Sequence, residues 1–412
     1  MRWIWLAVLV ACGDNVVPRL TPLSYDVDGV TVIRPGQFHD HARDEDCSNM
    51  EWGDGATYCT PLITPTAFAD RDCSQLVAMA AAGYAESTSM IGTDTTVHRL
   101  RGVQPRAPLT QFWSMIDGVC EGPFPAASDS MWGDIVGAEL DESAFVRLFR
   151  SVPEGDGRLQ VISWNTLDGT HEPNAMWDRE LKIDCAFTDA RDRDRVACAP
   201  ADVLDHKYGD ASCSQPVVVT TKAAPAFARL DCDTYARVGD EVAPAAYDLT
   251  ASGCQPIDVP VGWHVYSVPD APVEVAYVTR ERRGNGRIEA IDLVAGAARV
   301  PDNFLYDAML DADCALALYD NALRCVPAAA PVSTYFTDDT CMTERDVAIV
   351  GRNACAAPER FALGDAYRAV GAVVTDALYV PSTGDRCMLQ PPESQAHAVG
   401  PALPPETFVP AL

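Results

Sequence analysis

Apolar residues along the chain fall in short runs with a period near two, cut by turns of Gly, Asp, Asn and Pro. Residues 155–167 (GDGRLQVISWNTL), 208–220 (YGDASCSQPVVVT) and 264–280 (HVYSVPDAPVEVAYVTR) are typical. Alternation of this kind, with β-branched and aromatic residues between turn formers, predicts half-buried strands. Residues 28–33 and 134–150 read the same way. Helical spacing is nearly absent. The alanine-rich stretch 74–86 (SQLVAMAAAGYAE) is where short helix and buried strand compete, because alanine favours helix while Gly83 and Tyr84 do not extend it. The pattern as a whole predicts an all-β chain.

One stretch organises the rest. Residues 177–200 (WDRELKIDCAFTDARDRDRVACAP) carry an aromatic, Asp178, the pair Asp184-Cys185, an acidic turn, Cys198 and Pro200. Residues 306–327 repeat it with Asp307, Asp313-Cys314, Cys325 and Pro327. Residues 39–61 repeat it in degraded form with Asp40, Asp46-Cys47, Cys59 and Pro61. Flanking segments keep the same displacement. GDGRLQVISWN at 155–165 matches GNGRIEAIDLV at 284–294, YGDASC at 208–213 matches YFTDDTC at 335–341, and YDLTASGC at 247–254 matches LYVPSTGDRC at 378–387. A period of about 130 residues predicts three β units, at 30–150 (divergent), 151–280 and 281–412. Each unit is long enough for two four-stranded blades, so three units admit a six-bladed β-propeller. They equally admit tandem disulfide-stapled β-domains, each folding alone.

The chain starts MRWIWLAVLVACGDN. The apolar run from Trp3 to Ala11 is too short to span a bilayer as a helix, and it ends in small residues as a secretion signal does. Residues 1–11 are therefore expected to be a signal peptide and 12–29 a polar tether. Leu9-Val10-Ala11-Cys12 resembles the bacterial lipobox, which implies lipidation of Cys12. Gly13 in the second mature position is unlike an inner-membrane retention signal. That resemblance implies an outer-membrane lipoprotein of a bacterial envelope.

The chain holds fifteen cysteines, and setting Cys12 aside leaves an even number. With no Cys-x-x-Cys, a thiol-redox or zinc-knuckle role is weakened and an oxidised extracytoplasmic framework is favoured. The simplest pairing is Cys47–Cys59, Cys185–Cys198 and Cys314–Cys325 within hairpins, then Cys73–Cys120, Cys213–Cys254 and Cys341–Cys387. Cys232 and Cys355 are left to each other or unpaired. Connectivity does not follow from sequence alone. The net charge of −28 excludes a nucleic-acid partner and an electrostatic grip on anionic lipid.

Several of these elements occur together in one group of proteins. The lipobox followed by Gly13-Asp14, the Asp-x5-Asp-Cys-Ala-Phe/Leu element, Arg-Cys-x-Pro at Arg324–Pro327 and Tyr-Phe-x-Asp-x-x-Cys at 335–341 resemble uncharacterised cysteine-rich secreted lipoproteins of myxobacteria. The resemblance implies no activity, cofactor or catalytic residue. The first unit departs from the pattern, with Trp52 and a Gly-Asp-Gly turn where the others have longer turns.

Single-copy chemistry is sparse. No Gly-x-Ser-x-Gly, His-Glu-x-x-His or Gly-x4-Gly-Lys is present. His39, His41 and Asp46, with Asp44 near, form the weak metal candidate, since residues two apart on a strand point the same way. His39 also simply occupies the place of Trp177 and Tyr306. The acidic turns Asp189–Asp194 and Asp338–Asp339 offer oxygen ligands to calcium, yet arginines interleave the first and no EF-hand spacing fits. Asp40, Asp46, Asp178, Asp184, Asp307 and Asp313 recur in threes, so they read as architectural turn caps rather than a catalytic pair. Trp113, Trp132, Trp164, Trp177 and Trp263 read as core. The expected function is that of a membrane-anchored lipoprotein with a binding or envelope-structural role and a protein or glycan partner. The alternative is a secreted hydrolase or sugar-acting enzyme on a propeller.

Overall fold

The computed structural model describes residues 18–411 apart from 53, 62–65, 81–99, 117–118, 127–130, 141, 154, 190–193, 201–202, 222–224, 232–233, 251–252, 261, 270, 321, 351–359, 365, 383–385 and 390–394. These residues are nearly all strand. Two 3-10 turns, Glu142–Ala144 and Pro405–Thr407, are the helical elements among them. Residues 76–80 of the ambiguous alanine-rich stretch form a strand, because Val77 and Ala78 are buried in a sheet against Trp132. Tertiary packing thus overrides alanine's local preference.

The chain divides into two compact units. One is residues 1–23, 36–149 and 164–172. The other is residues 24–35, 150–163 and 173–412.

In the first unit, residues 37–40 pair antiparallel with the strand Glu45–Glu51, which pairs with Thr57–Pro61, which pairs with residues 146–148. Leu20, Phe38, Cys47, Cys59 and Leu148 form its buried cluster. In the second unit the same succession occurs twice. His171–Asp178, Ile183–Asp189, Arg195–Pro200 and Ala276–Arg283 follow one another. So do Ala298–Asp307, Ala312–Tyr319 and Ala322–Pro327. Their cores are Leu159, Met176, Cys185, Val196 and Cys198, and Ile288, Leu305, Cys314, Leu316 and Cys325. Val27 and Val32 belong to the latter cluster.

The register of the three hairpins is identical at its fixed points. Cys47 faces Pro61, Cys185 faces Pro200 and Cys314 faces Pro327. The disulfides Cys47–Cys59, Cys185–Cys198 and Cys314–Cys325 therefore run diagonally, with Cα separations of 5.2, 4.6 and 5.3 Å. Those separations suit a disulfide. The proline lacks an N–H and ends each ladder.

A second kind of sheet follows each hairpin, and in all three an aromatic faces an aromatic just before a polar turn. The pairs are Phe68 with Trp113, Tyr208 with Tyr247, and Phe336 with Tyr379. The turns end in Cys73, Cys213 and Cys341, which hold φ of 48, 50 and 54°. That left-handed conformation is uncommon for a residue with a side chain. Cys73–Cys120, Cys213–Cys254 and Cys341–Cys387 tie these turns to a neighbouring hairpin. The six bonds are the six pairs written from the sequence. Cys12, Cys232 and Cys355 lie outside the described residues.

The last described residues complete the second unit. Phe408 is fully buried, packed on Tyr319 and Tyr367. The Cys325 N–H donates to the Val409 carbonyl at 2.9 Å and the Ala411 N–H to the Leu323 carbonyl at 2.8 Å. Ala411 also bridges Val27. One short C-terminal segment is thus shared between strands from opposite ends of the chain.

Candidate functional site

The recurrent aspartates sort into two kinds. Asp40, Asp178 and Asp307 are 1, 0 and 0% exposed. Each caps the turn that follows it. Asp40 accepts the Ala42 N–H, Asp178 those of Glu180 and Leu181, and Asp307 those of Met309 and Leu310. The remaining oxygen capacity goes to an arginine 21, 20 and 20 residues earlier in the chain: Arg19, Arg158 and Arg287. The closest contacts are 2.7, 2.8 and 2.6 Å. Each guanidinium also donates to a carbonyl near the end of the following sheet, at Ala144, Glu274 and Thr407. These are two-pronged, fully engaged pairs, which is the geometry that lets a buried charge be tolerated. Both oxygens of each carboxylate are engaged.

The arginines were legible in the Gly-x-Gly-Arg of residues 155–158 and 284–287, but nothing in the spacing joins them to aspartates twenty residues on. Asp46, Asp184 and Asp313 are not turn caps. They pair across the sheet with His39, Arg150 and Arg280.

A third set of aspartates does cap turns. Asp210 accepts the N–H groups of Ser214 and Gln215 and two serine hydroxyls. Asp338 accepts those of Thr340, Met342 and Thr343. Asp70 does the same for Asp72, Ser74 and Gln75. These bonds hold all three carboxyls below the usual carboxylate range. The calcium candidate at Asp338 therefore spends its oxygens on its own turn. Most of the other, Asp189–Asp194, lies outside the described residues.

The metal candidate is not assembled as a ligand set. His39 Nδ1 lies 2.9 Å from Asp46, while His41 Nε2 lies 3.2 Å from the Thr21 hydroxyl. Among the described residues, no group of three or more His, Cys, Asp or Glu is arranged to hold a metal ion.

Two features escaped the sequence reading. The first is Glu172, 1% exposed in the first unit. Its Oε1 accepts the Gly36 N–H at 3.0 Å, and its Oε2 has no partner among the described residues. Burial pushes its carboxyl up to about 8, opposed by that single amide. Folding therefore takes up a proton between the unfolded value near 4.5 and the folded value near 8. Stability should fall as pH rises across that window and level off above it. Glu172→Gln keeps the amide bond and removes the titration. Its denaturant midpoint should lose that slope and exceed the wild type at pH 8. An unchanged slope would mean Glu172 is charged in the folded state.

The second is an open depression of about 640 Å³ in the second unit, lined by Val152, Pro153, Gly155, Asp156, Gln160, Trp177 and Arg179. The Gly155 carbonyl accepts both Gln160 Nε2 and Arg179 Nη1 at 2.9 Å, and the Asp156 carbonyl accepts Arg179 Nη2 at 3.4 Å. These bonds fix the polar rim beside the indole. Trp177 is thus a half-buried wall rather than core, and Trp263 is 42% exposed. Trp132, by contrast, is core at 4%.

A family model described as a family of unknown function (DUF7481) matches residues 6–408. Neither the curated proteins nor the solved structures contain a match to the chain.

Proposed function

We propose that this chain, which belongs to that family of unknown function, is a lipid-anchored binding protein of the bacterial envelope built from three copies of one disulfide-stapled β unit. The oxidised cysteine framework carries the reading: the six disulfides among the described residues support a compartment where thiols are not kept reduced. The anchor rests on Leu9-Val10-Ala11-Cys12. Support for three copies comes from the three Arg–Asp clamps, the three diagonal disulfides in one register and the three left-handed cysteines. Residues that recur in threes are accounted for by architecture. What is left for binding is what occurs once, and the depression beside Trp177 is the built example.

The anchor is tested by metabolic labelling with palmitate in a bacterium that processes lipoproteins. The wild type should incorporate label and fractionate with membranes, and Cys12→Ser should do neither. Equal labelling of both would remove the anchor. Fractionation of inner from outer membranes then tests the outer-membrane placement.

A further inference from the structure

The depression beside Trp177 has the chemistry of a saccharide site. We infer that it binds one or two rings of a neutral glycan, with the sugar's C–H face laid on the indole and its hydroxyls shared among Arg179, Asp156 and Gln160. This deepens the binding role proposed above and rests on it.

The other copies treat the same place differently. Trp177, Tyr306 and His39 occupy one position in the recurring motif. Arg282 lies over the Tyr306 ring, 3.4 Å from its centroid, and the phenol donates to Asp311 at 2.5 Å. His39 is engaged by Asp46, with Asp44 at 3.6 Å and the His41 ring 4.9 Å away. The Tyr306 face is covered by a guanidinium, and the His39 ring nitrogens are taken by carboxylates. At Trp177 the covering cation is replaced. Pro153 stands where Arg282 stands, counted back from the aromatic. Among the described residues no cation lies over the indole, and its N–H has no partner. The substitution exposes an apolar face instead of masking it.

The rim is then the right kind. Arg179 and Gln160 are held in place by the Gly155 carbonyl, so little freedom is lost when they bond a ligand. The Asp156 side chain is exposed with no ion pair among the described residues. A fixed fork of donors next to a free carboxylate matches vicinal hydroxyls, which both donate and accept. A volume of about 640 Å³ falls in the range of small-ligand sites. An anionic ligand is disfavoured by Asp156 and by the net charge of −28. A flat apolar ligand would leave the guanidinium and carboxylate unpaired.

The test is the full-length protein on an array of neutral, amino and acidic glycans, followed by calorimetric titration with the strongest neutral disaccharide bound. The wild type should bind neutral glycans reversibly. Trp177→Ala should weaken binding by about tenfold or more, as loss of one aromatic contact does. Trp177→Phe should recover part of it. Arg179→Met and Asp156→Asn should each weaken it, and His39→Ala should leave it unchanged. Arg179→Met and Asp156→Asn change exposed side chains, so they decide the matter if Trp177→Ala fails to fold. The inference is overturned if no neutral glycan binds above background, or if the titrated affinity is the same in Arg179→Met, Asp156→Asn and the wild type. Loss of palmitate labelling would leave this site standing, and failure here would leave the anchor standing.

Discussion

Arg287→Ala should be among the most destabilising single changes in the protein, costing about 3–5 kcal/mol, the usual loss when one partner of a buried ion pair is removed. Asp307 is 0% exposed, so its carboxylate stays buried without a counter-charge once the guanidinium is gone. The Thr407 carbonyl loses its donor in the same step, next to the buried Phe408. The comparison that isolates the charge is Arg287→Met with Asp307→Asn. The asparagine oxygen still accepts from the Met309 and Leu310 amides, so most of the lost stability should return. Urea unfolding followed by tryptophan fluorescence, with the disulfides intact, measures both. An Arg287→Ala variant within about 1 kcal/mol of wild type would mean that the pair is dispensable and that the clamps are not what the three turns depend on.

Ending the chain at Arg280 is expected to leave an insoluble or non-cooperative remainder. The reason lies near the start of the chain. Val27 and Val32 are 0 and 7% exposed because they pack with Ile288, Leu305 and Leu316, and Ala411 bridges Val27. Removal of everything beyond Arg280 strips that cluster of its partners and exposes its apolar surface. The mutually dependent copies proposed above would behave in this way. Tandem independent domains predict the reverse, a chain ending at Arg280 that melts sharply near the full-length midpoint. Calorimetry of the oxidised truncated chain separates the two outcomes.

The strands were readable because their alternation is local: PVVVT at 216–220 and the hairpin of residues 312–327 declare themselves within a few residues. The three hairpin disulfides were readable for a related reason, since cysteines 11 to 13 residues apart on the arms of one hairpin have few other choices. The diagonal register was not, because the sequence does not say which residue faces which. The arginine clamps were hidden by distance along the chain. Asp178 looks like a turn cap from its neighbours alone, and its second role comes from Arg158, a strand away. Glu172 was hidden by its ordinary setting. Thr-His-Glu-Pro reads as a polar loop, and only the fold puts its carboxyl where water does not reach. Trp177 reads as core from the sequence, as one of several scattered tryptophans with nothing local to set it apart. The missing cation that makes it different is an absence at position 153, which no motif search registers.

On the export proposed above, the order in which the cysteines emerge bears on how the protein reaches its oxidised form. Between residues 47 and 120 the partners are consecutive cysteines, Cys47 then Cys59, and Cys73 then Cys120. An oxidase joining each new thiol to the previous free one makes the native bonds there unaided. Further along, Cys232 falls between Cys213 and Cys254 in the sequence, and Cys355 between Cys341 and Cys387. The same vectorial rule would join Cys213 to Cys232 and Cys341 to Cys355. The native partners are then recovered by thiolate attack on those bonds, which is the work of an isomerase. On that route the bonds of residues 47–120 need only an oxidant, whereas those of residues 213–254 and 341–387 need disulfide exchange as well.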